Sequence, residues 1–159
     1  MELDIRPKDD AYDCHCEVCG YFVLTEVLLK TGKYHETEDS WVLSAWIRQK
    51  NLDKKTPRLE EDYKEKIFDK IKVPRVDEKL NKALETIQKC SEFVGDEPVF
   101  DVENSFPLFW AQRTKEMQWM FNELEKVGLI ERRLRAMGPN PVCLTALGLA
   151  KIEELKKAN

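Results

Sequence analysis

Three observations predict an α+β fold, mainly helical with small β elements. Residues 12–24, Tyr-Asp-Cys-His-Cys-Glu-Val-Cys-Gly-Tyr-Phe-Val-Leu, set a Cys-x-x-Cys-Gly turn between two segments of strand propensity. Several later segments space their apolar residues by three and four, the helical period. Residues 124–155 read as the end of a helix, a hairpin and a closing helix. This pattern predicts a zinc-ribbon-like N-terminal hairpin with helices over residues 1–75, followed by a winged helix-turn-helix over residues 76–159.

Composition bounds the class. Charged residues make up 35% of the 159 and apolar ones 42%, a globular balance rather than a disordered one. No apolar run approaches the roughly 20 residues that span a bilayer, and Met1-Glu-Leu-Asp-Ile-Arg6 has no signal-peptide core, so a cytoplasmic protein without membrane association is expected. The net charge of -4 divides unevenly, with -4 on residues 1–50, -3 on 51–110 and +3 on 111–159. Only the last third has the sign to attract a polyanion.

Residues 1–11 are polar and Asp-rich, with Pro7 breaking any regular element, and are expected to form an arm. Cys16-x-x-Cys19-Gly20 follows, with the geometry of a zinc knuckle: two thiolates converge at a hairpin tip and Gly20 permits the turn. A structural zinc takes four ligands, and no second Cys-x-x-Cys is present. Cys14, His15 and His35 are the nearest candidates to complete the site, and the expected metal set is Cys14, Cys16, Cys19 and His35, with zinc as the cofactor. Cys90 and Cys143 join only if folding brings them close. Two other readings stand beside it: a metal-free hairpin with Cys16 and Cys19 as small buried residues, and a low-pKa redox pair.

Thr25 is placed to cap a short helix that Gly32 ends, and a second helix runs from about Thr37 or Ser40 to Lys50. Its Val42, Leu43, Ala45, Trp46 and Ile47 make a wide buried stripe, with Trp41 and Trp46 in the core. Residues 51–58 read as a loop and residues 59–71 as a helix with Tyr63 and Ile67 inward. The Val73-Pro74 segment is extended, because proline pushes its predecessor out of the helical region.

In the second domain Asp77 caps a helix to about Phe93, and Val99-Phe100 forms a short strand. A short helix covers Phe106 to Ala111, and Thr114 caps the next helix, which reaches Val127 and stops at Gly128. Residues 129–134 and 142–144 are the strands of a hairpin turning at residues 138–141. Thr145 caps the last helix, with Leu147, Ile152 and Leu155 inward.

The helix before the hairpin decides whether DNA reading is plausible, because in this fold it enters the major groove. Its inward set is Met117, Met120, Phe121, Leu124 and Val127, and its outward set includes Lys115, Gln118, Trp119, Asn122, Glu123 and Lys126. The outward carboxylates cancel the lysines and no arginine is present to grip guanine. Phosphate contact would fall to Arg132, Arg133 and Arg135, with Lys115. Trp119, with Gln118 and Asn122, is instead the candidate protein interface, since an exposed tryptophan often marks one. Catalysis finds no support in a glycine-rich phosphate loop, a Ser/His/Asp order or a His-Glu-x-x-His motif, so no enzyme activity is expected.

Leu124-x-x-x-Gly128-Leu-Ile, with Leu144-Thr-x-x-Gly148 and Ile152-Glu-Glu-Leu155, resembles the hairpin region of multiple-antibiotic-resistance-type winged helices. The whole chain is more similar to a second group. The carriers are Cys16-x-x-Cys19-Gly-Tyr-Phe-Val-Leu-Thr25, Leu43-Ser-Ala-Trp-Ile-Arg48-x-x-Asn51, Val73-Pro74 and the winged-helix ending. They resemble an N-terminal accessory region of uncharacterised bacterial proteins, where it precedes a Toll/interleukin-receptor-like or nucleotide-processing effector domain of phage defence. The resemblance implies a non-catalytic sensing or scaffolding module that mediates protein contacts or oligomerisation, with an effector domain beginning after Asn159. The alternative is a nucleic-acid-binding regulator.

Overall fold

The computed structural model describes residues 3–8, 10–31, 40–133 and 141–158. It is a mixed α+β chain that divides into two compact units, Met1–Val73 and Pro74–Asn159. The boundary drawn from the sequence lies two residues later, after residue 75.

In the first unit β1 (Leu3–Lys8), β2 (Ala11–Cys16) and β3 (Gly20–Thr25) form an antiparallel meander, and β4 (Arg58–Leu59) joins β3 in parallel. The register pairs Cys14 with Phe22 and Cys16 with Gly20, so alternation puts Cys14, Cys16, Phe22 and Leu24 on one face. That face packs with Leu28 of α1 (Glu26–Thr31), Leu43 and Ile47 of α2 (Ser40–Leu52), and Leu59 and Tyr63. Thr25 starts α1 as expected, its hydroxyl accepting from the Leu28 amide at 3.4 Å. Trp46 is half-buried against this core, and Trp41 is half-buried.

Two expectations change here. Residues 3–8 are the edge strand β1 rather than an arm, and Pro7 sits in it opposite Tyr12. An edge strand has one unpaired side, where a missing N–H costs no ladder bond. Residues 59–71 are not one helix: β4 is followed by α3 (Tyr63–Lys66) and a 3-10 turn, Phe68–Lys70. The helical start is overridden by pairing, since Arg58 and Leu59 align with Val23 and Leu24 and the Val23 amide donates to the Pro57 carbonyl at 2.9 Å.

The second unit runs α4 (Val76–Cys90), an isolated bridge between Val99 and Pro141, a 3-10 turn (Phe106–Phe109), α5 (Thr114–Lys126), an antiparallel hairpin of β5 (Ile130–Arg132) and β6 (Val142–Leu144), and α6 (Ala146–Ala158). Met117, Met120, Phe121 and Leu124 of α5 meet Ala83, Leu84 and Ile87 of α4, together with Ile130, Val142 and Ile152. Phe109 meets Phe100 and Phe121 edge-on at centroid distances of 4.9 and 5.0 Å, the favoured aromatic geometry.

Local chemistry fixes several ends. Gly128, at φ +73, follows α5 and donates to Glu125 O at 2.9 Å, and the Thr145 hydroxyl accepts from the Gly148 amide at 3.0 Å at the start of α6. The first helix of this unit starts one residue before Asp77, with the Arg75 amide donating to the Glu78 carboxylate at 2.8 Å. It ends at Cys90, leaving Phe93 exposed.

Two inward assignments are also corrected. Val127 is exposed because Gly128 turns the chain away directly after it, so the buried stripe ends at Leu124. Leu147 is exposed because Gly148 takes the inward position, its backbone so close that a Cβ would lie 2.1 Å from the Leu129 carbonyl oxygen. Ile152, one helical turn later, is buried and Leu155 is half-buried. Thr37, the hairpin turn at 138–140 and residues 134–137 lie outside the described residues.

Candidate functional site

The Cys16–Cys19 turn closes β2 onto β3, with Gly20 at φ +89 supplying the backbone conformation that side chains resist. The Cys19 amide donates to Cys16 Sγ at 3.3 Å, and Cys19 Sγ lies 3.1 Å from Ser44 Oγ. Arg48 Nε donates to the Val18 carbonyl at 2.9 Å, and its guanidinium also bonds the Glu17 carbonyl. The Asn51 side chain accepts from the Tyr21 amide at 2.8 Å and donates to the Tyr21 and Lys55 carbonyls at 2.9 and 3.0 Å.

These contacts set the electrostatics of the pair. The Cys19 thiol donates to Cys16 and, with the turn amides and Arg48, lowers the Cys16 thiol from 9.0 to about 6 against the effect of burial. The same sulfur contact, followed by burial, pushes Cys19 up. The contact between the two sulfurs thus lowers one thiol of the pair and raises the other.

Cys14 does not join this pair. It lies on the inward face of β2, where its thiol donates to the Tyr12 carbonyl at 3.5 Å and burial raises its pKa. His15 is on the opposite face, its ring stacked on Tyr21 with centroids 4.3 Å apart. Cys90 is raised by burial in the second unit's core, and Cys143 lies in β6. His35 lies outside the described residues. Among the described residues no group of three or more His, Cys, Asp or Glu converges on one point. Among the described residues two thiols come together here, and a hydroxyl and a guanidinium stand beside them.

In the second unit Lys115, Gln118, Trp119 and Asn122 are all exposed on the outer face of α5, opposite the Met117, Met120 and Phe121 stripe. Trp119 is 44% exposed. Arg132 does not project from the hairpin. Its Nε donates to the Glu125 carboxylate at 3.1 Å, its backbone amide donates to the same carboxylate at 3.1 Å, and a terminal nitrogen donates to Asn122 Oδ1 at 2.7 Å. The arginine in return holds the Glu125 carboxyl below its ordinary value. Arg133 is paired with Glu97, and Arg135 lies outside the described residues. Glu116 turns toward α4, where it accepts from the buried Lys79 at 2.8 Å and from the Gln112 amide at 2.6 Å.

Sequence reasoning gave no role to Ser44, Arg48 and Asn51, although Arg48 and Asn51 fall in a motif that carries the resemblance. The signal was their spacing of four and three, which puts three polar side chains on one side of a helix that also carries Leu43, Ala45, Trp46 and Ile47. Comparison with protein-family models, curated proteins and solved structures yields no match to this chain. No helix among the described residues is long and apolar enough to cross a membrane.

Proposed function

We propose that the chain is a non-catalytic accessory module whose second unit makes protein contacts through the outer face of α5. The observation that carries this reading is the closure of Arg132 onto Glu125 and Asn122 beside the exposed Trp119. A helix that reads DNA needs cations directed away from the protein. Here the two described hairpin arginines, Arg132 and Arg133, are paired with Glu125 and Glu97 within their own unit, and the helix offers an aromatic side chain flanked by Gln118 and Asn122. Aromatic anchors with polar neighbours are what hot spots of protein interfaces are made of.

The order α4, Val99–Pro141 bridge, 3-10 turn, α5, hairpin and α6 supports a winged-helix reading of this unit. Winged helices serve both as DNA readers and as docking modules, so the function rests on the side chains and not on the fold. The role matches the accessory region of the bacterial phage-defence proteins that the sequence resembles.

Fluorescence anisotropy with duplex DNA, titrated with salt, tests the reading against the nucleic-acid alternative. The expected result is no binding at low salt; affinity that falls steeply with log salt overturns the proposal. Light scattering over a concentration series, with Trp119→Ala alongside, reads self-association as the first form of protein contact.

A further inference from the structure

The turn that carries Cys16 and Cys19 is held by three polar side chains from one side of α2. A structural zinc does two things in a knuckle: it ties the turn down, and it compensates the charge of the thiolates. Arg48 ties the turn down here: its planar fork bonds the carbonyls of the two residues between the cysteines, Glu17 and Val18. Asn51 grips Tyr21 by both backbone groups, as a neighbouring strand would, and sits so close that a Cβ on Gly20 would lie 2.3 Å from its oxygen. Ser44, itself buried, places its hydroxyl on Cys19.

We propose that Ser44, Arg48 and Asn51 hold this turn in place of a metal ion, so that the first unit folds with the Cys16–Cys19 pair free of zinc. A divalent cation brought to the two sulfurs would meet a guanidinium fixed beside them by two hydrogen bonds. Among the described residues it would find two sulfurs rather than four ligands. The turn keeps its shape without the ion because the Glu17 and Val18 carbonyls and both backbone groups of Tyr21 are already bonded from α2.

The experiment uses the whole chain, with zinc content measured by mass spectrometry and amide hydrogen exchange by NMR, before and after a strong zinc chelator. Substoichiometric zinc is expected, with unchanged exchange at the Cys19 and Tyr21 amides after chelation. Arg48→Met should speed exchange at Cys19 about tenfold or more, the change expected for losing hydrogen bonds from a charged donor. Arg48→Lys, which keeps the charge and lacks the fork, should do the same, and it is read alone if the methionine variant does not fold. One tightly held zinc per chain whose removal accelerates these amides overturns the proposal. So does unchanged Cys19 exchange in the foldable Arg48 variants.

Discussion

The Arg132 guanidinium lies along the outer face of α5, bonded to the Glu125 carboxylate seven residues earlier and to the Asn122 side-chain oxygen at 2.7 Å. This contact joins the first strand of the hairpin to the helix before it. Glu125→Gln should weaken it. Because both side chains are partly exposed, the expected loss is about 1 kcal/mol or less, read from urea midpoints at constant slope. The carboxyl's folded pKa is depressed, so its contribution is present above the ordinary carboxylate pKa and is lost as pH falls through the lowered value. Wild-type stability should therefore fall toward acid more than that of the Gln variant.

Trp119→Ala should change stability by no more than about 0.5 kcal/mol, because the side chain is 44% exposed and opposite the buried stripe. Self-association or partner binding, where it is measured, should drop by tenfold or more, as expected of an aromatic anchor. A large loss of stability with unchanged association would show that the ring supports the fold instead.

Gly148→Ala should destabilise the second unit by about 1–3 kcal/mol, since the added methyl meets the Leu129 carbonyl oxygen at 2.1 Å and that oxygen belongs to backbone that cannot swing aside. The neighbouring Leu147→Ala should lie within about 0.5 kcal/mol of the parent, because that side chain is exposed. Guanidinium unfolding of both variants orders the two effects; the reverse order would place Leu147 in the core.

The stability of the first unit should depend on pH through the cysteine pair. Cys16 titrates at about 6 when folded and near 9.0 when unfolded, so its contribution is lost as pH falls through about 6 and builds toward 9. Cys19 is raised, so its contribution holds below the unfolded value and fades only as pH rises toward its own pKa. Stability from the pair is thus expected to grow from pH 6 to 9. Cys16→Ser should flatten that rise, with ultraviolet thiolate absorbance reporting the titration.

Much of the local structure was legible because it depends on neighbouring residues. Gly20, Gly128 and Thr145 each do in the structure what backbone chemistry demands of them at a turn, a helix end and a cap. The outer face of α5 was legible too, since helical spacing alone separates Lys115, Gln118, Trp119 and Asn122 from Met117, Met120 and Phe121. The cysteine site was legible only as a pair. That Cys14 turns to the Tyr12 carbonyl two residues back follows from its place on the buried face of β2, and that the other side of the pair belongs to Ser44 and Arg48 depends on contacts 25 to 31 residues apart in the chain.

By itself the sequence determined the kinds and order of most elements, most of their turns and which helix face is apolar, because those follow from dihedral preferences and periodicity over a few residues. Tertiary structure decided what each element meets. Residues 3–8 became a strand because β2 offered an open edge, the residues after Pro57 left the helical state because β3 offered a parallel partner, and Gly148 rather than Leu147 faced inward because the Leu129 carbonyl left room for nothing larger. Arg132 and Arg48 carry the same charge in the sequence. Their roles differ because the first closes on a carboxylate of α5, whereas the second meets the bare carbonyls of a cysteine turn, and no local pattern specifies either partner.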